Sequence, residues 1–214
     1  MQIVVDWDGT ATEADGLHLV LVEFGDVGIF DAAEAKLGRE LTLHEVIAFE
    51  FESVRTPLEE VAEWVRENVR LRTGFVEFAQ SRRPLVVSSG FHEFIEPVLE
   101  REGLELEVRA NRLDPRPDGW KALFRDDTTC LVCGEPCKRS DVAALDGFLY
   151  VGDGFSDRCV AAAATRVFAR DGLAEYLAEQ GIAYEEFTDF HELETTLSRA
   201  TRPESARADS GLTQ

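Results

Sequence analysis

Positive charge is what this chain has least of. Lysine and arginine together number 22 against 42 aspartates and glutamates, a formal net charge of −20. Lysine itself stands only at Lys36, Lys121 and Lys138. A nucleic-acid surface needs a basic face to neutralise phosphates, and so does a surface that docks on anionic lipid. No nucleic acid and no membrane is therefore expected among its partners. A small phosphorylated metabolite is compatible with the charge, because a metal ion, one lysine and a few backbone N–H groups can reverse the field locally inside an acidic protein.

Long apolar runs are missing as well, and nothing approaches the roughly 20 residues of a membrane span. The first charge falls at Asp6, which leaves no room for a secretory leader, so a cytoplasmic location is expected. Cysteine is sparse, with 4 in the chain. In a reducing compartment these are expected as thiols or metal ligands rather than disulfides.

What is present is a series of short apolar runs that end in small or acidic residues: IVVDWDG (3–9), LVVSSG (85–90) and FLYVGDG (148–154), with TRVFAR (165–170) of the same kind. They are rich in β-branched and aromatic residues and do not alternate in polarity, as strands buried on both faces of a parallel sheet do not. Helical patterns separate them, at 91–103, from Ser140 to about Leu145, and from Asp157 to Ala164. Strands alternating with helices predict an α/β fold, a doubly wound, Rossmann-like parallel-sheet core.

The interval 13–72 departs from this alternation. Thr42-Leu43-His44-Glu45 and Thr56-Pro57-Leu58-Glu59 both have the form of a capping box that opens a helix. A helical cap inserted after the first strand is therefore expected over 13–72, with 1–12 and 73–198 forming the core. Within the core, 104–137 is expected as a hairpin and loop insertion: LELEVRA alternates, RLDPRPDG is turn-rich and WKALF would return. The polar tail 199–214 is expected to be disordered.

In a parallel sheet, ligands gather at the carboxyl ends of the strands. Asp6, Asp8, Ser88, Asp153 and Asp157 all fall there, and Lys138 lies between the last two groups. Four carboxylates on one edge repel one another unless a cation sits among them, and hard oxygen ligands suit Mg²⁺. A carboxylate in line with a phosphoryl group can attack it. A second carboxyl can protonate the leaving oxygen and then activate water.

DWDGT, SSG, a lysine ahead of a helix, and GDGFSD, in that order, resemble the four motifs of the haloacid dehalogenase superfamily of phosphatases. The resemblance implies Asp6 as nucleophile, Asp8 as general acid and base, and Ser88, Ser89 and Lys138 on the phosphate. It also implies a Mg²⁺ site drawn from Asp6, Asp8 (through its carbonyl), Asp153 and Asp157. The chain departs from the pattern at Ser89, where the family commonly has glycine. The helical insertion resembles the cap of the phosphoserine phosphatase-like branch. RTGFVEFAQ, VVSSGFHEFIEPVLE, CGEPCK, VFARDGLAEYL and FTDFHEL are similar to the 2-hydroxy-3-keto-5-methylthiopentenyl-1-phosphate phosphatase family of methionine salvage. That family is the implied activity, with phosphoserine phosphatase as the alternative. Phosphoserine would require a carboxylate for its ammonium and an arginine for its carboxylate, and Asp15 and Arg55 are the candidates.

Cys130, Cys133 and Cys137 form C-x₂-C-x₃-C directly before Lys138. Structural Zn²⁺ is one reading of that spacing, with the fourth ligand left open among Cys159, a histidine and water. Reduced thiols in a tight loop are the other. The histidines are scattered and are expected at the surface or in helix packing, with His92 the one nearest to the site.

Overall fold

Strand β1 (Gln2–Val5) lies at the centre of the sheet. It pairs in parallel with β2 (Leu85–Phe91) on one side and with β5 (Phe148–Gly152) on the other. In this computed structural model, which describes residues 1–200, β3 (Val108–Asp114) and β4 (Lys121–Leu123) extend the sheet beyond β2. Strands β6 (Arg166–Ala169) and β7 (Glu185–Glu186) extend it beyond β5, so the order is β4-β3-β2-β1-β5-β6-β7. All pairings are parallel except β3 with β4.

The lack of polar alternation in these strands has a direct cause. Alternate residues point into two different apolar layers. Val5, Val86, Leu149, Val151 and Phe168 join one, while Val4, Leu85, Val87, Tyr150 and Ala169 join the other. Each layer removes apolar surface from water, worth roughly 1.5–3 kcal/mol for a fully buried large side chain. A polar residue on either face would forfeit that gain.

Four helices fill the interval between β1 and the second half of the core: α1 (Gly16–Phe24), α2 (Val27–Glu34), α3 (Leu43–Phe51) and α4 (Leu58–Asn68). The expected capping box at Thr42 forms in both directions: the Glu45 amide donates to Thr42 Oγ1 at 3.3 Å, and Glu45 Oε2 accepts from the Thr42 amide at 2.8 Å. The one expected at Thr56 does not form. Pro57 takes the N-cap position and offers no side-chain acceptor; the Thr56 carbonyl instead accepts from Trp120 Nε1 at 3.2 Å. The helical segment does not stand apart from the core. Phe51 of α3 packs edge-on against Phe91, with centroids 4.9 Å apart, and tilts against Phe94 of α6 (His92–Arg101) at 5.9 Å.

Within 104–137, β3 and β4 pair as an antiparallel hairpin whose first strand starts only at Val108. The helices expected at Ser140 to Leu145 and at Asp157 to Ala164 are shorter. Ser140–Val142 is one tight turn, and α7 (Arg158–Ala161) follows another over Phe155–Asp157. Flanking helices α5 (Phe75–Arg82), α8 (Asp171–Gln180) and α9 (Phe190–Ala200) complete the layers. Most of the tail expected to be disordered, residues 201–214, lies outside the described residues.

Candidate active site

β1 delivers its last residue into a tight turn. The Asp6 amide still donates to the Val151 carbonyl at 2.9 Å, which extends the sheet by one residue, and the chain then reverses over Trp7–Ala11. Gly9 holds φ +77°, and a Cβ there would run into the Asp153 carboxylate. Glycine is required on both counts, for left-handed backbone and for close approach. Arg72 braces the turn from outside, with Nε to the Thr10 carbonyl at 2.8 Å and Nη2 to the Gly9 carbonyl at 2.6 Å.

Inside the turn, Lys138 is buried between two carboxylates. Its Nζ lies 2.5 Å from Asp6 Oδ1 and 2.7 Å from Asp157 Oδ1, and the three residues are 1%, 4% and 0% exposed. Asp157 is saturated with donors. Tyr150 Oη gives it a second bond at Oδ1, at 2.6 Å, and the Asp153 and Gly154 amides meet Oδ2 at 2.9 and 3.1 Å. Asp153 accepts from Thr10 Oγ1 at 2.7 Å. Asp8 lies between α1 and β2, where Oδ1 accepts from the Gly16 amide at 3.0 Å and Oδ2 from Ser88 Oγ at 3.2 Å. The Gly90 amide in turn donates to Ser88 Oγ at 2.8 Å.

The electrostatics follow from burial and neighbours. Burial, helped by Asp157 and Asp153 and opposed by Lys138, holds Asp6 well above the ordinary carboxylate range. Burial and then Asp157 raise Asp153 to about 6. Burial would raise Asp157 too, but the Lys138 charge, its hydrogen bond, Tyr150 and the Gly154 amide together outweigh it and keep that carboxylate low. Burial works against the Lys138 ammonium, and Asp157 and Asp6 overcome it. Burial, with the charge of Asp15 next, raises Asp8 to about 8, so at neutral pH it carries a proton.

The structure therefore brings Asp6, Asp8, Ser88, Lys138, Asp153 and Asp157 to one edge. Ser89 follows Ser88 and lines a neighbouring cavity of about 310 Å³, with Lys138, Asn111, Arg125, Phe155 and His44. His44 lines this cavity and His92 does not; His92 pairs with Glu96 at 2.8 Å on α6. Asp15 caps α1 through the His18 amide at 3.0 Å. Arg55 is exposed, and its Nη1 donates to the Ser53 carbonyl at 2.8 Å, so no contact joins it to the carboxylates.

Several supporting residues escape a sequence reading. Arg125 grips Asp141 with two bonds, at 2.9 and 2.7 Å, and spans to the Ser88 carbonyl at 2.9 Å and to Asn111 Oδ1 at 3.0 Å. Asn111 Nδ2 donates to the Ser89 carbonyl at 2.8 Å. Together they fix the strand end that carries Ser88 and Ser89. Glu50 of α3, 3% exposed, has no hydrogen-bond partner for Oε1. Burial, with Glu34 and Asp15 adding repulsion, raises it to about 8. An arginine in a turn-rich loop and a glutamate in an amphipathic helix carry no local signal of such roles. Cys130, Cys133 and Cys137 do come together, and Cys159 of α7 joins them: the four sulfurs all lie within 4.8 Å of one another.

No family model matches the chain. Among curated proteins it is similar to 2-hydroxy-3-keto-5-methylthiopentenyl-1-phosphate phosphatase from Bacillus cereus (strain G9842), 27% identical over 213 residues and covering 92% of this chain and 95% of that one. The protein of the same name from Bacillus thuringiensis (strain Al Hakam) is 28% identical over 211 residues, with the same coverage. Among solved structures it resembles phosphoserine phosphatase from T. onnurineus, with a TM-score of 0.66 at 17% identity, covering 92% of this chain and 94% of that one. A phospho-aspartyl intermediate analogue of phosphoserine phosphatase matches with a TM-score of 0.64 at 20% identity, covering 91% and 97%. The fold is thus the Rossmann-like α/β fold of these phosphatases. The curated relatives and the solved structures named above are phosphatases, in keeping with the resemblance carried by the four motifs.

Proposed function

We propose that this chain is a Mg²⁺-dependent phosphomonoesterase that works through a phosphoryl group carried on Asp6. The observation that carries the reading is the convergence of Asp6, Asp157 and Lys138 at 2.5 and 2.7 Å, with Asp8 and Ser88 beside them, at the carboxyl ends of β1, β2 and β5. The carboxylates of Asp6, Asp153 and Asp157 bring oxygen atoms within 4.8 Å of one another. Carboxylates are hard donors that suit Mg²⁺. Asp6 and Asp153, raised by burial first and by neighbouring carboxylates next, would hold it with the Asp8 carbonyl that the resemblance implies. Asp157, whose oxygens already accept from Lys138, Tyr150 and two amides, would support the site from close by. When bound, the ion offsets charge on the phosphoryl oxygens.

The chain's own residues then divide the work. Ser88, Ser89 and the Lys138 ammonium hold the phosphoryl group. An Asp6 oxygen forms the bond to phosphorus as the bond to the leaving oxygen breaks. Asp8, protonated at neutral pH, gives its proton to that leaving oxygen. The resulting Asp8 carboxylate takes a proton from water as the water oxygen attacks phosphorus; the bond to Asp6 breaks and phosphate leaves. The helical segment over 13–72 acts as a cap that excludes water from this exchange. Among the described residues no helix is long and apolar enough to cross a membrane.

For the substrate we favour 2-hydroxy-3-keto-5-methylthiopentenyl-1-phosphate or a similar small keto- or enol-phosphate with an apolar tail. Leu17 of α1 supports this, because its side chain stands beside Gly90 and Asp8, where a Cβ on Gly90 would meet Leu17 Cδ1 at 2.7 Å and Asp8 Oδ2 at 2.8 Å. An apolar group at that point suits a thioether-bearing chain. Phosphoserine is the second reading, favoured by the carboxylates of Asp15, Glu34 and Glu50, which an ammonium could meet; Arg55 turns away from them. Phosphate release from a panel of monoesters with Mg²⁺ decides. The keto- or enol-phosphate should have the higher kcat/KM. A tenfold preference for phosphoserine, lost in Arg55→Ala, would reverse the substrate and keep the reaction.

A further inference from the structure

The four cysteines lie on two segments that also carry the catalytic lysine and its carboxylate partner. Cys137 immediately precedes Lys138, and Cys159 comes two residues after Asp157. We propose that Cys130, Cys133, Cys137 and Cys159 bind a structural Zn²⁺ ion, and that this ion ties the loop bearing Lys138 to the segment bearing Asp157.

Geometry carries the assignment. A tetrahedral ZnS₄ centre with arms of about 2.3 Å has sulfur–sulfur edges of about 3.8 Å. Cys130 and Cys159 already stand 3.9 Å apart, and every pair lies within 4.8 Å, so closure on a metal needs shifts of less than about 1 Å. All four cysteines are free thiols.

The backbone between the first two ligands is folded for the purpose. The Gly134 amide donates to the Cys130 carbonyl at 2.9 Å, and the Cys130 amide donates to the Glu135 carbonyl at 3.0 Å. The Val132 amide points at Cys130 Sγ from 3.5 Å. Such a turn swings both sulfurs to one side and offers an N–H to a thiolate. Gly134 has φ +82°, and a Cβ there would meet nothing within 4 Å, so its conformation and not crowding calls for glycine. Apart from this turn the loop has little to hold it. Leu131 is fully exposed and Val132 66% exposed, which leaves no apolar core to fix residues 130–137.

Binding releases the thiol protons to solvent, and four thiolates around a divalent cation leave a net charge of −2. Arg139 stands ready to offset it, with Nη1 at 3.9 Å from Cys159 Sγ and 3.1 Å from the Cys159 carbonyl. Thiolate ligands select zinc over the hard cation suited to the aspartates nearby, so the two metal sites are chemically distinct.

The test does not use phosphatase activity, so its failure and that of the phosphatase reading are distinguishable. The full chain, purified under reducing conditions, should contain about one equivalent of zinc. Reloaded with Co²⁺, it should show thiolate charge-transfer absorption and the visible bands of a tetrahedral site. Cys159→Ser should lower the zinc content at least tenfold, whereas Asp153→Ala should retain it. Removing the zinc should speed hydrogen exchange across 130–140. Zinc below about 0.1 equivalent, with no thiolate absorption when Co²⁺ is added to the reduced protein, would overturn the proposal. So would disulfides among these cysteines in the freshly purified protein. If Cys159→Ser does not fold, the cobalt spectrum of the unaltered chain still decides.

Discussion

Replacing Lys138 by methionine keeps most of the side chain's volume and removes the one charge that faces both Asp6 and Asp157. All three groups are buried, at 1%, 4% and 0% exposure. Removing one partner of a buried ion pair leaves an uncompensated charge and costs about 3–5 kcal/mol. In a domain of this size about 1 kcal/mol moves the midpoint by roughly 2–4 °C, so the variant should melt roughly 6–20 °C lower at pH 7.

The pH dependence gives a sharper test, because its sign differs between the two proteins. In the parent, Asp157 is held below its ordinary value. Its contribution is therefore present above pH 3.8, its unfolded value, and is lost only as pH falls through the still lower folded one. In Lys138→Met the same carboxylate is buried with no cation, so its folded pKa rises above the unfolded value. Protonation then favours the folded variant, and its deficit should shrink as pH falls from 7 toward 4, on the order of the usual carboxylate range. Urea midpoints by circular dichroism across that window measure the gap. Lys138→Met combined with Asp157→Asn should recover part of the loss. A melting difference under about 2 °C, or a gap constant with pH, would refute the claim that the buried Lys138 charge stabilises the Asp6 and Asp157 carboxylates.

Asp6→Asn should fold normally yet lose phosphatase activity by orders of magnitude and form no phosphoryl-enzyme; near-normal turnover would end the covalent mechanism. Asp153→Ala should weaken Mg²⁺ dependence and activity together, with chelation abolishing and Mg²⁺ restoring activity in the parent; a chelated enzyme at full rate contradicts the proposed metal role. Glu50, held at about 8 by burial first, binds a proton more tightly folded than unfolded, so it draws stability down as pH rises from about 4.5 to 8. Glu50→Gln should remove that slope and gain a few kcal/mol at pH 8, read from urea midpoints. Arg125→Met should raise KM for any substrate more than it lowers kcat, since it loosens the strand end that carries Ser88 without touching the Asp6 and Asp8 carboxylates; an unchanged KM speaks against that bracing role.

The β1 end was legible because two constraints coincide there. A strand buried on both faces must be apolar, so the first acid in IVVDWDG marks the point at which the chain leaves the sheet. Asp153 is marked in the same way at the end of β5, and Ser88 marks the point inside β2 where the pairing with β3 is interrupted between Val87 and Phe91. The helix at Thr42 was legible because a capping box is local chemistry, completed within four residues. Thr56 misled for a related reason. The pattern there is the same, but Trp120, far along the chain, takes the Thr56 carbonyl and Pro57 takes the cap position. Arg55 has no signal of direction at all, and only the fold turns it toward Ser53.

Contacts that close over long sequence separations were out of reach for one physical reason: their partners have no periodicity relating them. Arg125 reaches Ser88 and Asp141 from a loop whose composition says only that it turns. Cys159 shows the limit most clearly. C-x₂-C-x₃-C announces three sulfurs on one short loop, since local backbone geometry alone can gather them. A fourth must come from whichever element the sheet carries to that loop. Asp157 has to reach Lys138 for the ion pair to form, and α7 starts at the next residue. That places Cys159 one helical step beyond, facing the loop that ends in Cys137 and Lys138. The same contact that assembles the carboxylate–lysine pair thus delivers the fourth thiol. Disturbing either cluster should therefore loosen the other, and neither dependence can be read from the spacing of the cysteines alone.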